Sequence, residues 1–128
     1  MRTVLVIEDE VSVKNAICAL LEREGWKVLH AATDADAIEQ AARNSVIDLL
    51  ITDVVLRSGN GVAVARQMIQ DRPELLCILI SGYPMADLYN RELMDDDLLN
   101  SWRVEFLEKP FTLRALLDSI GRMARAAA

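Results

Sequence analysis

Several polar residues of this chain stand directly after strongly apolar runs. They comprise an acidic pair, a single carboxylate, a hydroxyl and an amine: Glu8 with Asp9, Asp53, Ser81 and Lys109. Carboxylates that lie close together raise one another's pKa, so such a cluster favours a cation. An all-oxygen cluster suits Mg²⁺, which takes one or two carboxylates together with phosphate oxygens. With the amine and the hydroxyl, these groups could transfer a phosphoryl group to a carboxylate, giving an aspartyl phosphate at Asp53.

Each of these residues also has an ordinary structural explanation when it is taken singly. Asp and Ser are common in turns and at the first positions of helices, so the chemical interpretation depends on whether the fold brings the set together. The acidic run at 95–97 is interpreted as a solvated surface rather than a metal site. His30, the single histidine, falls inside a predicted strand, and we assign it a structural role.

Short apolar runs alternate with helical patterns along the chain, and they predict the elements that position the polar set. The expected strands are Thr3–Ile7, Trp26–Ala31, Asp48–Thr52, Leu75–Ile80 and Val104–Leu107. The apolar run of the third strand begins earlier, at Val46, and ends in Asp53. Thr33 and Thr112 are the predicted N-caps of the second and last helices.

Two connecting segments carry weaker signals. Ser58–Gly61 has the composition of a loop that precedes a helix. Met85–Trp102 has a weak amphipathic pattern, interrupted by the acidic run at 95–97, and predicts a fourth helix whose boundaries the pattern leaves open.

The alternation predicts an α/β, doubly wound (βα)5 domain of the flavodoxin-like class. Short right-handed crossovers require a five-stranded parallel sheet with helices on both faces, in the strand order 2-1-3-4-5. Strands one and three are neighbours in that order, so Glu8, Asp9 and Asp53 are expected to converge on one crevice. Ser81 and Lys109 are expected to line its other side.

Composition limits the remaining possibilities. A chain of 128 residues with 52% hydrophobic residues fits one domain over residues 1–128. Its net charge of −6 argues against direct binding to nucleic acid or to an anionic membrane surface. Cys18 and Cys77 show no metal-binding or disulfide spacing, and the sequence has no transmembrane-length segment and no signal peptide. These features predict a cytoplasmic protein with reduced thiols.

The order of the motifs resembles that of the receiver domain of two-component response regulators. An acidic pair follows strand one, Asp follows strand three, Ser-Gly follows strand four and Lys-Pro follows strand five, and the resemblance covers the whole chain. It is strongest to the C-terminal receivers of hybrid histidine kinases and to stand-alone regulators, and the sequence does not separate these two cases. The resemblance implies that the protein is a phosphoacceptor switch of a phosphorelay and not an enzyme. Such a switch catalyses only its own Mg²⁺-dependent phosphorylation and slow autodephosphorylation.

The resemblance also implies a role for each matching residue. Asp53 would accept a phosphoryl group from a phosphohistidine of a histidine kinase or a histidine phosphotransfer protein. Glu8, Asp9, Asp53 and the backbone carbonyl of Val55 would bind Mg²⁺. The phosphorylated domain would then change its binding to a downstream protein effector. The sequence leaves open whether the domain is a monomer or a weak homodimer through its last helix and strand.

Further positions of the family match residues at the fourth and fifth strands. Ser81 would hydrogen-bond the phosphoryl group, and Lys109 would pair with it. Phe106 would be the switch aromatic that acts with Ser81, and Lys109–Pro110 would be the family's cis peptide, a geometry that proline tolerates.

The sequence departs from the family at a few of these positions. Glu8 replaces the first Asp of the usual pair, Arg57 stands where many members have Pro, and Phe106 replaces the usual Tyr. The last change predicts a weakened or altered coupling of phosphorylation to the face formed by the fourth helix, the fifth strand and the fifth helix. Val55 and Tyr83 offer no carboxylate or amide to orient a hydrolytic water, so we expect slow autodephosphorylation.

Two other functions compete with the phosphoacceptor switch. An interaction module that has lost phosphorylation would account for the departures at Glu8, Arg57 and Phe106, but not for the remaining acids and Lys109. A nucleotide-binding or phosphatase enzyme would need a glycine-rich phosphate loop, and neither GxGxxG nor GxxxxGK[ST] occurs.

Overall fold

Strands and helices alternate along the chain, as the apolar runs predict. The computed structural model describes residues 2–127, so both end positions of the predicted 1–128 domain lie outside the described residues. The elements are β1 (Thr3–Ile7), α1 (Val11–Arg23), β2 (Lys27–Ala31), α2 (Asp34–Arg43), β3 (Leu49–Asp53), β4 (Val55–Leu56), β5 (Gly59–Asn60), α3 (Gly61–Asp71), β6 (Leu76–Ser81), α4 (Met85–Asn90), α5 (Asp96–Leu99), β7 (Val104–Glu108) and α6 (Leu113–Ala127).

Five strands form one parallel sheet in the order β2-β1-β3-β6-β7. Counting only the strands of this sheet, the order is 2-1-3-4-5, so the predicted topology is confirmed. Helices α1 and α6 pack on one face of the sheet, and α2, α3, α4 and α5 pack on the other. Strands β1, β3 and β6 are buried along their whole length, which explains why they are continuous apolar runs rather than alternating ones.

The third strand is shorter than the apolar run that predicts it. Val46 is 62% exposed, and the strand begins only at Leu49. Asp48 precedes the strand instead of opening it. Its side-chain Oδ2 accepts the amide of Thr3 at 2.8 Å, and its own amide donates to the Thr3 carbonyl at 2.8 Å. These two hydrogen bonds hold the start of β1 beside the start of β3, at the end of the sheet opposite Asp53.

The prediction of one helix over Met85–Trp102 is wrong, because the segment forms the two short helices α4 and α5. Between them, Glu92 has a φ of 58°, a left-handed conformation that interrupts a right-handed helix. Asp95 then restarts the helical backbone, since its Oδ1 accepts the amide of Leu98 at 3.0 Å. Asp95 also pairs with Arg66 at 2.6 Å. These contacts give the first residue of the acidic run a structural role.

The segment Ser58–Gly61, which was expected to be a loop, contains half of a small antiparallel hairpin. Strand β4 pairs with β5, with Val55 opposite Asn60 and Leu56 opposite Gly59. Arg57 and Ser58 form the two-residue tip of this hairpin. The tip is tied to the start of α2, because the hydroxyl of Ser58 accepts the amide of Asp34 at 3.3 Å. The hairpin therefore has a fixed position beside the end of β3.

Both predicted threonine caps are confirmed. The Thr33 hydroxyl accepts the amide of Asp36 at 3.0 Å, and the Thr112 hydroxyl accepts the amide of Ala115 at 3.0 Å. The second helix packs through Ala37, which is fully buried, whereas Ile38 is 58% exposed. Among residues 2–127, none of the helices has both the length and the apolar character needed to cross a membrane.

Candidate functional site

The ends of β1 and β3 bring three carboxylates together. The register pairs Ile7 with Thr52, so the residues that follow them on the two strands lie side by side. Glu8, Asp9 and Asp53 each place one oxygen within 4.8 Å of the others. Glu8 and Asp53 are buried, with exposed fractions of 1% and 6%, whereas Asp9 is partly exposed. The predicted acidic cluster therefore exists, and its two more deeply placed members are shielded from water.

Lys109, at the end of β7, joins two of these carboxylates. Its Nζ donates to Glu8 Oε1 at 2.7 Å and to Asp53 Oδ2 at 2.9 Å. The backbone also holds this residue, because its amide donates to the Ser81 carbonyl at 2.7 Å. The peptide bond between Lys109 and Pro110 is cis. A single ammonium from the end of β7 thus reaches the carboxylates at the ends of the neighbouring strands β1 and β3.

The electrostatics of the site follow from burial and from this bridge. Burial raises the pKa of Glu8, and the nearby Asp53 charge raises it further, against the hydrogen bonds from Lys109 and from the Glu10 amide. Burial alone would lower the pKa of Lys109, but its hydrogen bonds to Asp53 and Glu8 outweigh burial and raise it. One ammonium stands against three carboxylates, and this excess of acidic groups is the condition under which a divalent cation binds.

The donor set fits Mg²⁺, because every candidate ligand is an oxygen. Besides the carboxylates, the hairpin offers the backbone carbonyl of Val55. The Val54 carbonyl accepts the amide of Gly61 at 3.0 Å. Successive carbonyl groups of an extended strand point to opposite sides. The Val54 carbonyl points to the other arm of the hairpin, so the Val55 carbonyl points away from that arm. Val55 also lines the cleft above Asp53.

The cleft itself has a volume of about 330 Å³ and lies above the acidic cluster. Its lining residues come from the ends of four sheet strands and from the hairpin: Asp9, Glu10, Asp53, Val55, Leu56, Arg57, Gly82, Tyr83 and Lys109. A water occupies about 30 Å³ in the liquid, so the cleft has room for a phosphoryl group and several waters.

Ser81 ends β6 next to the cleft but uses its hydroxyl locally. The residue is fully buried, and its Oγ accepts the amide of Tyr83 at 2.9 Å. Gly82 and Tyr83 form the cleft wall on this side. The ring of Tyr83 is covered by Arg91, whose guanidinium carbon lies 4.3 Å from the ring centroid. Ser81 was expected to line the crevice, but it is not among the residues that line the cleft, because its buried hydroxyl is directed to its own turn.

Phe106 lies further from the cluster, in the middle of β7. It is paired in register with Leu79 and is half-buried. It packs on the same core as Tyr83 and Met85, on the face of the sheet that carries α4. Its position places an aromatic ring between the sheet and the surface around α4.

One residue that fixes the strand of the acidic cluster was not expected from the sequence. Gly61 opens α3, and a Cβ at this position would lie 2.0 Å from the Asp53 carbonyl oxygen and 2.4 Å from Thr52 Oγ1. The helix therefore packs directly on the backbone of Asp53, at a distance that only glycine allows. The sequence offered Gly61 only as one of several loop-forming residues.

Comparison with known proteins assigns this fold and site to a class. Residues 4–121 match the family model described as the response regulator receiver domain, and the chain belongs to this family. Receiver domains are the phosphoacceptor switches of two-component signalling, so the resemblance stated from the motifs is confirmed.

Individual relatives agree with this assignment. The response regulator receiver protein CpdR of Brucella abortus (strain 2308) is 31% identical over 127 residues, which cover 99% of this chain and 100% of CpdR. The sensor kinase CckA of the same organism is 30% identical over 122 residues, and the chain spans only 12% of that kinase. A solved response regulator receiver protein from Sinorhizobium medicae WSM419 superposes with a TM-score of 0.82 at 25% identity, covering 99% of this chain and 97% of that structure.

Proposed function

We propose that Asp53 accepts a phosphoryl group from a phosphohistidine of a histidine kinase or a histidine phosphotransfer protein. The observation that carries this proposal is the position of Asp53 in the cluster. It lies beside Glu8 and Asp9, at the base of a cleft, with the Lys109 ammonium 2.9 Å from its Oδ2. A carboxylate in this setting has a counter-ion for the charge that a phosphoryl group would bring.

The reaction is an in-line transfer between two nucleophiles. A carboxylate oxygen of Asp53 attacks phosphorus, and the bond from phosphorus to the imidazole nitrogen of the donor breaks. The imidazole leaves with the bonding electron pair and takes up a proton, and an acyl phosphate remains on Asp53. Lys109 pairs with an oxygen of the transferred group, where its ammonium neutralises charge that develops in the transition state.

Glu8, Asp9, Asp53 and the Val55 carbonyl would hold Mg²⁺ in this site. When bound, the ion neutralises the carboxylates and the phosphoryl oxygens and so permits two anions to approach. Glu8 is one methylene longer than the Asp usual at its position, and it already accepts a hydrogen bond from Lys109 at 2.7 Å. Metal binding therefore competes with an existing ion pair.

The output of the switch involves Ser81 and Phe106. Ser81 Oγ accepts the Tyr83 amide in this structure, and in the phosphorylated state the same side chain turns so that its O–H donates to a phosphoryl oxygen. This rotation moves the turn after β6, and Phe106 transmits the change to the surface around α4, where a protein effector binds. Phe106→Ala should therefore reduce the changes in amide exchange that phosphorylation causes in α4. Unaltered exchange changes in this variant would contradict the role of Phe106.

The lifetime of the acyl phosphate depends on the residues around the cleft mouth. Val55 and Tyr83 line the cleft and offer no side-chain carboxylate or amide. A water that attacks phosphorus would find no carboxylate or amide side chain at these positions to orient it, so autodephosphorylation is slow. A lifetime of only seconds for the wild-type acyl phosphate would contradict this expectation.

The proposal is tested with acetyl phosphate and Mg²⁺, followed by mass measurement of the intact protein. The wild type gains one phosphoryl group, and Asp53→Asn gains none. Asp118→Asn is the matched control, because Asp118 is a half-exposed carboxylate on α6 away from the cleft. Unmodified wild type, or modification that persists in Asp53→Asn, would overturn the assignment of Asp53.

A further inference from the structure

Arg57, at the tip of the hairpin, contacts the partly exposed carboxylate of the cluster. Its backbone amide donates to Asp9 Oδ2 at 2.8 Å, and its Nε lies 4.0 Å from the same oxygen. The side chain is 81% exposed, and the residue lines the cleft. We propose that Arg57 sets the affinity of this cluster for Mg²⁺ by holding a positive charge beside Asp9. The inference rests on the Mg²⁺ site of the proposed function.

The backbone around Arg57 is held in place, so its side chain starts from a defined point beside Asp9. The neighbouring Ser58 is tied to Asp34, and a Cβ at Gly59 would lie 2.6 Å from the Asp34 carboxylate. The hairpin tip thus packs against the start of α2. From this position the Arg57 amide orients Asp9 through Oδ2, while Oδ1 has no hydrogen-bond partner among residues 2–127. The Oδ1 of Asp9 can therefore bind a cation, while the nearby Arg57 guanidinium repels that cation.

Two positively charged side chains lie beside the carboxylates of the cluster. Lys109 bridges Glu8 and Asp53, and Arg57 contacts Asp9. An arriving Mg²⁺ must overcome both charges. A unit charge about 7 Å from a divalent cation in water, partly screened by salt, changes the dissociation constant by about threefold to tenfold. Because the Arg57 guanidinium is exposed, its share of this effect should depend strongly on ionic strength.

The test is a calorimetric titration of the unphosphorylated protein with Mg²⁺ alone, at about 0.02 M and about 0.5 M salt. Arg57→Ala should bind Mg²⁺ about threefold to tenfold more tightly than wild type at low salt, and the difference should shrink at high salt. Arg57→Lys keeps the charge and should stay close to wild type. Both variants retain the backbone amide that orients Asp9, so the comparison reports on the side-chain charge.

Arg114→Ala is the matched control. Arg114 is 83% exposed and pairs with Asp118 on α6, so its removal changes the net charge equally without touching the cleft. Equal affinities of Arg57→Ala and wild type at low salt would overturn the inference, and so would an equal gain in Arg114→Ala. If neither wild type nor Arg57→Ala bound Mg²⁺, the metal site of the proposed function would itself be refuted.

Discussion

Replacing Gly61 by alanine tests how closely α3 packs on the strand that carries Asp53. The added Cβ would lie 2.0 Å from the Asp53 carbonyl oxygen, whereas non-bonded heavy atoms settle at about 3.5 Å. The backbones must therefore separate by more than about 1 Å, and the atom that blocks the methyl group belongs to the main chain, which cannot rotate away. Overpacking of this kind costs about 3 kcal/mol. Replacing glycine in a helix recovers about 0.5–1 kcal/mol, which leaves a net loss of about 2 kcal/mol.

Gly121→Ala is the matched control for this change, because Gly121 also lies in a helix. Its Cβ would meet only the end of the Arg125 side chain, at 3.3 Å, so this variant should be neutral or slightly stabilised. Urea unfolding of both variants measures the difference. The displaced strand should also slow the phosphorylation of Asp53 by acetyl phosphate. If Gly61→Ala were as stable as Gly121→Ala, the close packing of α3 on Asp53 would be disproved.

Three further changes probe the charges and the core. Because burial, aided by Asp53, raises the pKa of Glu8 above 4.5, Glu8→Gln should stabilise the metal-free protein at neutral pH. This gain should disappear as the pH falls through the raised pKa and wild-type Glu8 becomes neutral, and a gain that is constant with pH in urea unfolding would contradict it. Lys109→Met leaves two buried carboxylates without their ammonium and should lower the free energy of unfolding by about 3 kcal/mol in metal-free buffer; unchanged thermal stability would argue against the bridge. Burial raises the pKa of Cys77 to about 12, so iodoacetamide should alkylate this thiol only after unfolding, and rapid labelling of Cys77 itself in the native protein would show that β6 opens.

The sheet and the location of the site are predictable from the sequence because both depend on long apolar runs. A parallel strand that is covered on both faces does not alternate polar and apolar residues, so β1, β3 and β6 stand out in the sequence as continuous hydrophobic segments. Their carboxyl ends share one edge of the sheet, and the strand order then places Glu8 and Asp53 side by side. The topology of a doubly wound fold thus converts positions far apart in sequence into neighbours.

Other features depend on tertiary contacts that leave no pattern in the sequence. The leucines of Met85–Trp102 fit one amphipathic helix. The break between α4 and α5 depends on the left-handed conformation of Glu92 and on the Asp95 cap of α5. Arg66, on α3, holds this cap through an ion pair with Asp95. The need for Gly61 comes from the closeness of another strand. The local orientation of the Ser81 hydroxyl is likewise a property of the folded turn.

The identity of the phosphorylated residue is the most direct test of the account. Wild-type protein treated with acetyl phosphate and Mg²⁺ is reduced with borohydride, which converts an aspartyl phosphate into homoserine, and is then digested and sequenced by mass spectrometry. Homoserine is expected at position 53, in a peptide that remains unmodified in Asp53→Asn. Homoserine at another aspartate, or at none, would contradict it.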